Sequence, residues 1–151
     1  MITESDQTEL RGTRARAHSN CVVCSTGNTR GLHLEFAASD DGGVQAHFRC
    51  DKAFEGYVGM LHGGVIASLL NGAMTNCMFA YGIPAITAEL NVRFRHPVAI
   101  GKTAVVRAWI ERSSRSLHVL RAEVVQDEQV RAAARGKFLE QHRQVDYGGL
   151  L

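Results

Sequence analysis

The sequence predicts an α+β fold in which a six-stranded antiparallel sheet wraps around one long central helix. Residues 61–81 place apolar side chains on nearly every face of a helix, a pattern typical of a helix buried on all sides. Segments in which apolar and polar residues alternate lie before and after it, in the order β-β-α-β-β-β-β. A single helix among six strands is buried most economically when it packs across the sheet.

The two strand segments before the helix form a predicted hairpin. Residues 32–38 and 44–50 both alternate with period two, and the cluster Asp40-Asp41-Gly42-Gly43 is a turn between them. The helix is expected to end at Gly82. The short links after it predict antiparallel neighbours, with Asp127-Glu128 as the last turn. The four later strand segments are residues 86–94, 104–110, 118–124 and 130–138.

Length and composition favour one folded domain with polar ends. The chain has 151 residues, of which 45% are hydrophobic and 21% charged, as in ordinary globular proteins. We predict a flexible polar tail at residues 1–20, a folded domain at residues 21–142 and a C-terminal tail at residues 143–151. Val105 and Trp109 fall among the outward positions of a strand, which indicates a covered outer face and an oligomer.

Charge and hydropathy exclude several classes of function. The net charge of +2 is too balanced for a protein whose main partner is nucleic acid. No apolar run is long enough to span a bilayer, and residues 1–20 lack the apolar segment of a secretory signal. We therefore expect a soluble, cytoplasmic protein without a membrane partner. In that compartment the four cysteines are predicted to be thiols.

The segment immediately before the predicted helix carries the strongest chemical signal. Gly63 and Gly64 at a helix start leave backbone N–H groups available to an anion or a developing oxyanion, and His62 stands beside them. An ordinary loop-to-helix junction, with His62 as a satisfied polar residue, explains the same residues. Further along the helix, Ser68, Asn71 and Thr75 form a polar stripe, which either lines a cleft or bonds to backbone carbonyls.

Two separated motifs resemble one protein family. The runs His62–Asn71 (HGGVIASLLN) and Thr87–Pro97 (TAELNVRFRHP) are similar to the hotdog-fold acyl-CoA thioesterases of the phenylacetate-pathway, or PaaI-like, type. The CxxC pair Cys21-Val22-Val23-Cys24, followed by Asn28 and Gly31-Leu32, resembles an N-terminal motif of one branch of that family. The resemblance covers roughly residues 20–140.

The resemblance implies a hotdog fold, a function and an assembly. Members of this family form homodimers through their sheets, often paired into homotetramers, and hydrolyse acyl-CoA at sites on the dimer interface. Coenzyme A then belongs to the substrate, and no further cofactor is expected. By position, Gly63 and Gly64 match the helix start that polarises the thioester carbonyl, with Gly64 as the main donor, and His62 matches the motif histidine. Thr87 matches a position where some members use a hydroxyl to hold the attacking water.

Position 71 departs from the family pattern. The family has an acidic residue there, whereas this chain has Asn71, whose amide can orient a water but cannot accept its proton. Loss of a general base typically costs about 10²–10⁴-fold in rate. Three accounts stay open: an engineered substitution, a naturally weak enzyme, or a non-catalytic acyl-CoA-binding relative.

Two weaker patterns complete the candidate site. Arg93, Arg95, His96 and Arg115 are predicted to contact the phosphates of CoA, although a solvated strand end explains them equally well. The spacing His18-x-x-Cys21-x-x-Cys24, with Cys50 as a fourth ligand, is compatible with zinc and with a zinc-dependent interaction module. Because a second close-spaced pair is lacking, we predict free thiols and no metal site.

Overall fold

The computed structural model describes residues 4–141. The predicted C-terminal tail at residues 143–151 lies outside this range. Two α-helices, a single 3-10 turn and six strands succeed one another along the chain. They are α1 (Glu4–Ala17), β1 (Ala37–Ala38), β2 (Val44–Arg49), the 3-10 turn (Lys52–Phe54), α2 (Gly63–Ala80), β3 (Ala85–Phe94), β4 (Thr103–Ser114), β5 (Leu117–Gln126) and β6 (Gln129–Glu140).

The strands form one antiparallel sheet in the order β1-β2-β4-β5-β6-β3. The α+β prediction with a wrapped sheet is therefore confirmed. The expectation that each short link joins neighbours is wrong for β3 and β4, which are separated by β5 and β6. Residues 95–102 connect these two strands. A segment of this length can span roughly 20 Å or more, whereas β3 and β4 are three strand spacings, or about 14 Å, apart.

Helix α2 is the centre of the hydrophobic core. Its neighbours on β6 are small: Ala132, Ala134 and Gly136 are buried against it, and a Cβ on Gly136 would lie 3.1 Å from the sulfur of Met74. Small side chains on that strand thus allow the helix to approach the sheet closely. The buried residues of α2 are Ile66, Leu69, Leu70, Gly72, Ala73, Met74, Thr75, Asn76, Cys77, Met78 and Phe79.

The ends of the central elements follow the predicted turn chemistry. Helix α2 stops at Ala80, and Gly82 just beyond it has a φ of 72°. The β5–β6 turn is made by Asp127 and Glu128, whose φ angles of 52° and 60° match the two-residue turn that suits the twist of a hairpin. No helix among the described residues is long and apolar enough to cross a membrane.

The N-terminal segment differs from its prediction. Where the sequence predicts a flexible tail at residues 1–20, the structure has α1, so residues 4–141 contain two α-helices instead of one. The segment is rich in residues that favour helices, but apolar periodicity is missing because Leu10 and Thr13 are the only buried residues among positions 6–17. Packing against α2, which a local pattern does not reveal, stabilises this helix.

The first predicted strand is also shorter than expected. Only Ala37 and Ala38 pair with β2. In residues 32–36 the side chains still alternate between buried and exposed positions, but the backbone pairs with the CxxC segment instead. The N–H groups of Leu32 and Leu34 donate to the carbonyls of Val22 and Val23, at 2.7 and 2.9 Å. The two-residue alternation thus correctly predicted an extended segment, but it did not identify the segment with which the backbone pairs.

The CxxC segment lies directly on α2. A Cβ on Gly72 would come within 2.5 Å of Cγ1 of Val23, which is closer than real Cβ atoms approach. Since valine has a stiff side chain, only glycine at position 72 leaves room for this contact. The contact lies one residue from Asn71.

We expect Gly72→Ala to lower the free energy of unfolding by about 1–3 kcal/mol, because the added methyl overpacks the contact with Val23. The matched control is Gly12→Ala in α1, whose Cβ would meet only the flexible end of Arg16. That change should leave stability unchanged or raise it by up to about 1 kcal/mol. Urea denaturation measures both, and equal effects would show that the Val23–Gly72 contact is not tight.

Candidate active site

The start of α2 is capped by a histidine side chain. His62 has extended backbone angles (φ −60°, ψ 135°), and its Nδ1 accepts a hydrogen bond from the Gly64 N–H at 2.8 Å. Its carbonyl accepts from Val65 and Ile66, both at 3.0 Å. Gly63 is the first residue of the helix, so its N–H has no acceptor within the helix. Of the two predicted glycine donors, Gly64 is therefore paired with His62, and Gly63 points its N–H away from the helix.

The cap also fixes how the His62 ring can act. Because Nδ1 accepts a hydrogen bond from the Gly64 N–H, a neutral ring carries its own proton on Nε2. The ring is exposed, so this Nε2–H is available to a ligand. Two donors, the Gly63 N–H and the His62 Nε2–H, thus flank the positive end of the helix dipole.

A cavity of about 780 Å³ opens at this helix start. Its wall contains His62, Gly63 and Ile66 from α2 and its cap, together with residues 94–98 at the end of β3. Arg95 and His96 are exposed members of that second group. The cavity is of a size that small-molecule sites commonly have, with positive charge on one side.

A second polar group lies further along α2. The Thr87 hydroxyl donates to Oδ1 of the half-buried Asn71 at 2.7 Å. The other members of the predicted stripe behave differently, because Ser68 and Thr75 donate to the backbone carbonyls of Gly64 and Asn71. Ser68 and Thr75 therefore fit the alternative in which the polar side chains of the helix bond to backbone carbonyls. The structure therefore brings together two predicted site residues, Asn71 and Thr87, and separates them from the rest of the stripe.

These two groups do not meet within one chain. Asn71 follows Gly63 by eight helical positions, a distance of about 12 Å along the axis. Neither Asn71 nor Thr87 lines the cavity at the helix start. The donors at the helix start and the Asn71–Thr87 pair are therefore separated along the same helix, and a single copy of the chain does not bring them together.

The comparison with known families decides where this arrangement belongs. The family described as "Thioesterase superfamily" matches residues 58–133, which is half of the chain and contains the helix start, Asn71 and all of β3. The chain belongs to the thioesterase superfamily. The resemblance of the His62 and Thr87 motifs to hotdog thioesterases is thereby confirmed.

Similar proteins place the chain in the hotdog branch of the thioesterase superfamily. Bovine acyl-coenzyme A thioesterase THEM4 is 27% identical over 97 residues, which are 62% of this chain but only 40% of that protein. Human acyl-coenzyme A thioesterase 13 is 22% identical over 118 residues, covering 77% of this chain and 80% of the relative. The PaaI protein of Escherichia coli superposes with a TM-score of 0.75 at 18% identity, covering 89% and 95% of the two chains, and shares the fold.

The predicted phosphate-binding residues are only partly brought together. Arg95 and His96 line the cavity at the helix start, whereas Arg93 lines a neighbouring groove that it shares with Arg95 and Trp109. Arg115 lies in the β4–β5 turn with a φ of 52°. This turn is at the opposite end of the sheet, about 25 Å along the strands from Arg95. One chain therefore does not gather all four residues at one place.

Three cavity residues escaped the sequence analysis. Tyr57 and Phe94 line the cavity although they are 83% and 55% exposed, and Glu55 lies beside them. The Glu55 carboxylate accepts from the Gly59 N–H at 2.6 Å, which fixes the loop before the helix. The exposed aromatic Tyr57, outside any periodic element and close to the histidine–glycine motif, is the signal that could have revealed this wall.

The four cysteines fall into two classes. Cys21 and Cys24 lie together with His18, while Cys50 and Cys77 are buried elsewhere in the core. A hydrogen bond with Cys24 lowers the pKa of the Cys21 thiol to about 3, and the same bond raises the pKa of Cys24 above its usual range. Burial raises the pKa of Cys50 to about 11 and that of Cys77 to about 12, so both remain thiols at neutral pH.

Proposed function

We propose that this protein is an acyl-CoA thioesterase whose turnover is weakened by Asn71. The observation that carries the proposal is the helix start, where Gly63 and His62 line a cavity in a chain of the thioesterase superfamily. The curated relatives are acyl-coenzyme A thioesterases, which supports a CoA thioester as the substrate. This chain spans 40% of the bovine relative, so the acyl group is not carried over from it.

The geometry supports a direct hydrolysis. Water attacks the thioester carbonyl carbon, a new C–O bond forms, and the carbonyl oxygen becomes an oxyanion. The Gly63 N–H and His62 Nε2–H donate to that oxygen, where the helix dipole adds to their effect. The C–S bond then breaks, and the CoA sulfur leaves with a proton that the water supplied. The products are a carboxylic acid and free CoA.

Asn71 and Thr87 are proposed to hold the attacking water. The Thr87 hydroxyl donates a hydrogen bond to Asn71 Oδ1, so the Asn71 amide protons and the lone pairs of the Thr87 oxygen can bind water. This pair positions the nucleophile but offers no base at neutral pH. We therefore expect slow turnover, by about 10²–10⁴-fold relative to a site with a carboxylate.

A second copy of the chain supplies the other half of the site. Among the described strands β3 pairs only with β6, so its other edge has unpaired backbone groups. Ile86, Leu90 and Phe94 on this strand are 43%, 36% and 55% exposed, which favours a covered edge. Antiparallel pairing of two β3 edges brings the Thr87 end of one strand beside the Phe94 end of the other. The cavity of one subunit then meets Asn71 and Thr87 of the partner subunit.

The same pairing explains the scattered basic residues. Arg95 and His96 border the cavity of their own chain, while Arg115 lies near the end of β3 that carries Thr87. Two subunits together therefore place positive charge on both sides of the site, where the phosphates of CoA would bind. The half-buried Val105 and Trp109 on the outer face of β4 support a further contact between dimers in a homotetramer.

The second candidate is an acyl-CoA-binding protein without turnover, and Asn71 is the observation that favours it. Both candidates use the same cavity and the same basic residues, so only the chemistry separates them. Either activity fits the cytoplasm, because none of the four cysteines forms a disulfide.

We expect the protein to be a homodimer or homotetramer by size-exclusion chromatography with light scattering. Leu90→Arg should yield a folded monomer and abolish hydrolysis, because the charge disrupts the β3–β3 contact. Val22→Arg places the same charge on a residue that is 58% exposed and outside the sheet, and it should keep the assembly. A wild-type monomer that retains hydrolysis would contradict the shared site.

We expect Gly63→Pro to reduce hydrolysis about 10²–10³-fold, because it deletes the N–H donor. Proline is well tolerated at the first position of a helix, and the extended backbone of His62 suits a following proline. Gly63→Ala is the matched control, since it keeps the donor and its Cβ would lie 3.5 Å from Phe94. Release of CoA measures both rates, and circular dichroism checks the fold. Equal rates for the two variants would show that this N–H does not stabilise the oxyanion.

We expect Asn71→Asp to raise kcat about 10²-fold or more for at least one acyl-CoA. The bond from Thr87 is retained because a carboxylate oxygen accepts it equally well, and the new group can take a proton from water. Asn20→Asp makes the same charge change at an exposed residue outside the sheet and should have no effect. Mass spectrometry must verify residue 71 in the starting protein, since Asn71-Gly72 can deamidate.

The same comparison separates the two candidate functions. Binding of acyl-CoA by both the starting protein and the Asn71→Asp variant, with turnover by neither, would favour the non-catalytic function. Equal turnover by the verified starting protein and the Asn71→Asp variant would show that position 71 is not the base.

A further inference from the structure

Three side chains that commonly bind metals converge beside the end of α1. Nδ1 of His18 and the sulfurs of Cys21 and Cys24 all lie within 4.8 Å of one another. Cys24 Sγ is 3.7 Å from His18 Nδ1. Ligands bound to one zinc ion at about 2.0–2.3 Å in tetrahedral geometry are themselves about 3.3–3.8 Å apart. The cluster therefore needs only small side-chain adjustments to close on an ion.

The backbone around the cluster holds these side chains in place. The Cys21 N–H donates to the carbonyl of His18, and the Ser25 N–H donates to that of Cys21. The Val23 N–H donates to the Cys21 sulfur at 3.3 Å, a bond that stabilises a thiolate. The His18 ring packs edge-on against Phe79 of α2, with centroids 4.9 Å apart. The ligands are thus oriented without an ion.

An independent observation points to a ligand at the same place. Asn76 is fully buried in α2, and its side chain interacts with Cys24. Its Nδ2 donates to the carbonyl of Gly72 at 2.9 Å, but its Oδ1 accepts no hydrogen bond from any described residue. A buried carbonyl oxygen without a donor is unfavourable, because it has lost its hydrogen bonds to water. The unpaired oxygen thus belongs to a buried polar side chain beside the cluster that lacks a partner among the described residues.

We propose that His18, Cys21 and Cys24 bind a zinc ion, with water as the fourth ligand. Two sulfurs and one imidazole nitrogen are a donor set that selects a borderline-soft ion such as zinc over magnesium or calcium. Cys50, the fourth ligand considered from the sequence, is excluded because it lies outside the cluster and contacts Gln126 instead. The expectation of a chain without a metal site is replaced by this proposal.

The proposed ion links α1 to α2. His18 directly follows α1, and Val23 between the two cysteines fills the space above Gly72 of α2. Zinc therefore joins the end of α1 to the segment that lies on α2 one residue from Asn71. The role is structural, so loss of the ion should loosen α1 and the CxxC segment before it affects the sheet.

Metal analysis of the full-length protein tests the proposal. We expect about one zinc per chain after purification without chelator, and more than tenfold weaker zinc binding in Cys24→Ser and His18→Ala. Matched controls are Cys50→Ala, which removes a cysteine outside the cluster, and His47→Ala, which removes an exposed histidine of β2. Both controls should keep the zinc. Cobalt added to the chelator-treated protein should give the visible absorption of a tetrahedral thiolate site, and Cys24→Ser should lose it.

Hydrogen exchange and redox state complete the test. Chelation of the wild type should increase exchange in α1 and residues 18–25, and added zinc should restore protection. Zinc content unchanged in both cluster variants would overturn the proposal. So would a zinc-free protein in which Cys21 and Cys24 form a disulfide, or one that takes up neither zinc nor cobalt after reduction.

Discussion

Burial of α2 on all sides is the constraint on which the rest of the structure depends. A helix enclosed by the sheet, α1 and the CxxC segment must be apolar along nearly its whole length, and its neighbours must be small enough to let it approach. Its backbone groups are satisfied internally except at the two ends. The first turn is therefore the one place where unpaired donors meet a cavity, and the chemistry is concentrated there, at His62 and Gly63.

In the proposed site, the same constraint assigns the two halves to two copies of the chain. Polar side chains on a buried helix are tolerated only where a partner reaches them, and Asn71 meets this condition through Thr87 on an edge strand. Along the helix this pair is about 12 Å from the donors of the first turn. Because α2 is rigid, no rearrangement within one chain brings the two halves together. A second subunit that pairs with β3 resolves the separation without any change in the fold.

The parts of the fold that could be predicted from the sequence have strong local periodicity. Helix α2 and strands β3 to β6 follow it, and the turn at Asp127 and Glu128 follows from residue type. The other parts of the fold depend on tertiary contacts. The side chains of residues 32–36 alternate as in a strand, but the backbone pairs with the CxxC segment. Helix α1 packs through Leu10, which is its one large apolar residue. A local sequence pattern does not identify such contacts between distant segments.

At the site, residue types were predictable and their hydrogen bonds were not. Two successive glycines look equivalent as donors, and only the rotamer of His62 shows that Gly64 is paired and Gly63 is not. Position 71 is the opposite case, because two residue types make the same hydrogen bond there. The Thr87 hydroxyl donates to an oxygen that the amide of Asn and the carboxylate of Asp both have. The scaffold therefore accepts either residue at position 71 with the same packing and the same bond. What distinguishes the two residues is the ability to take a proton from water, so the identity of residue 71 can change the reaction rate without disturbing the fold that positions it.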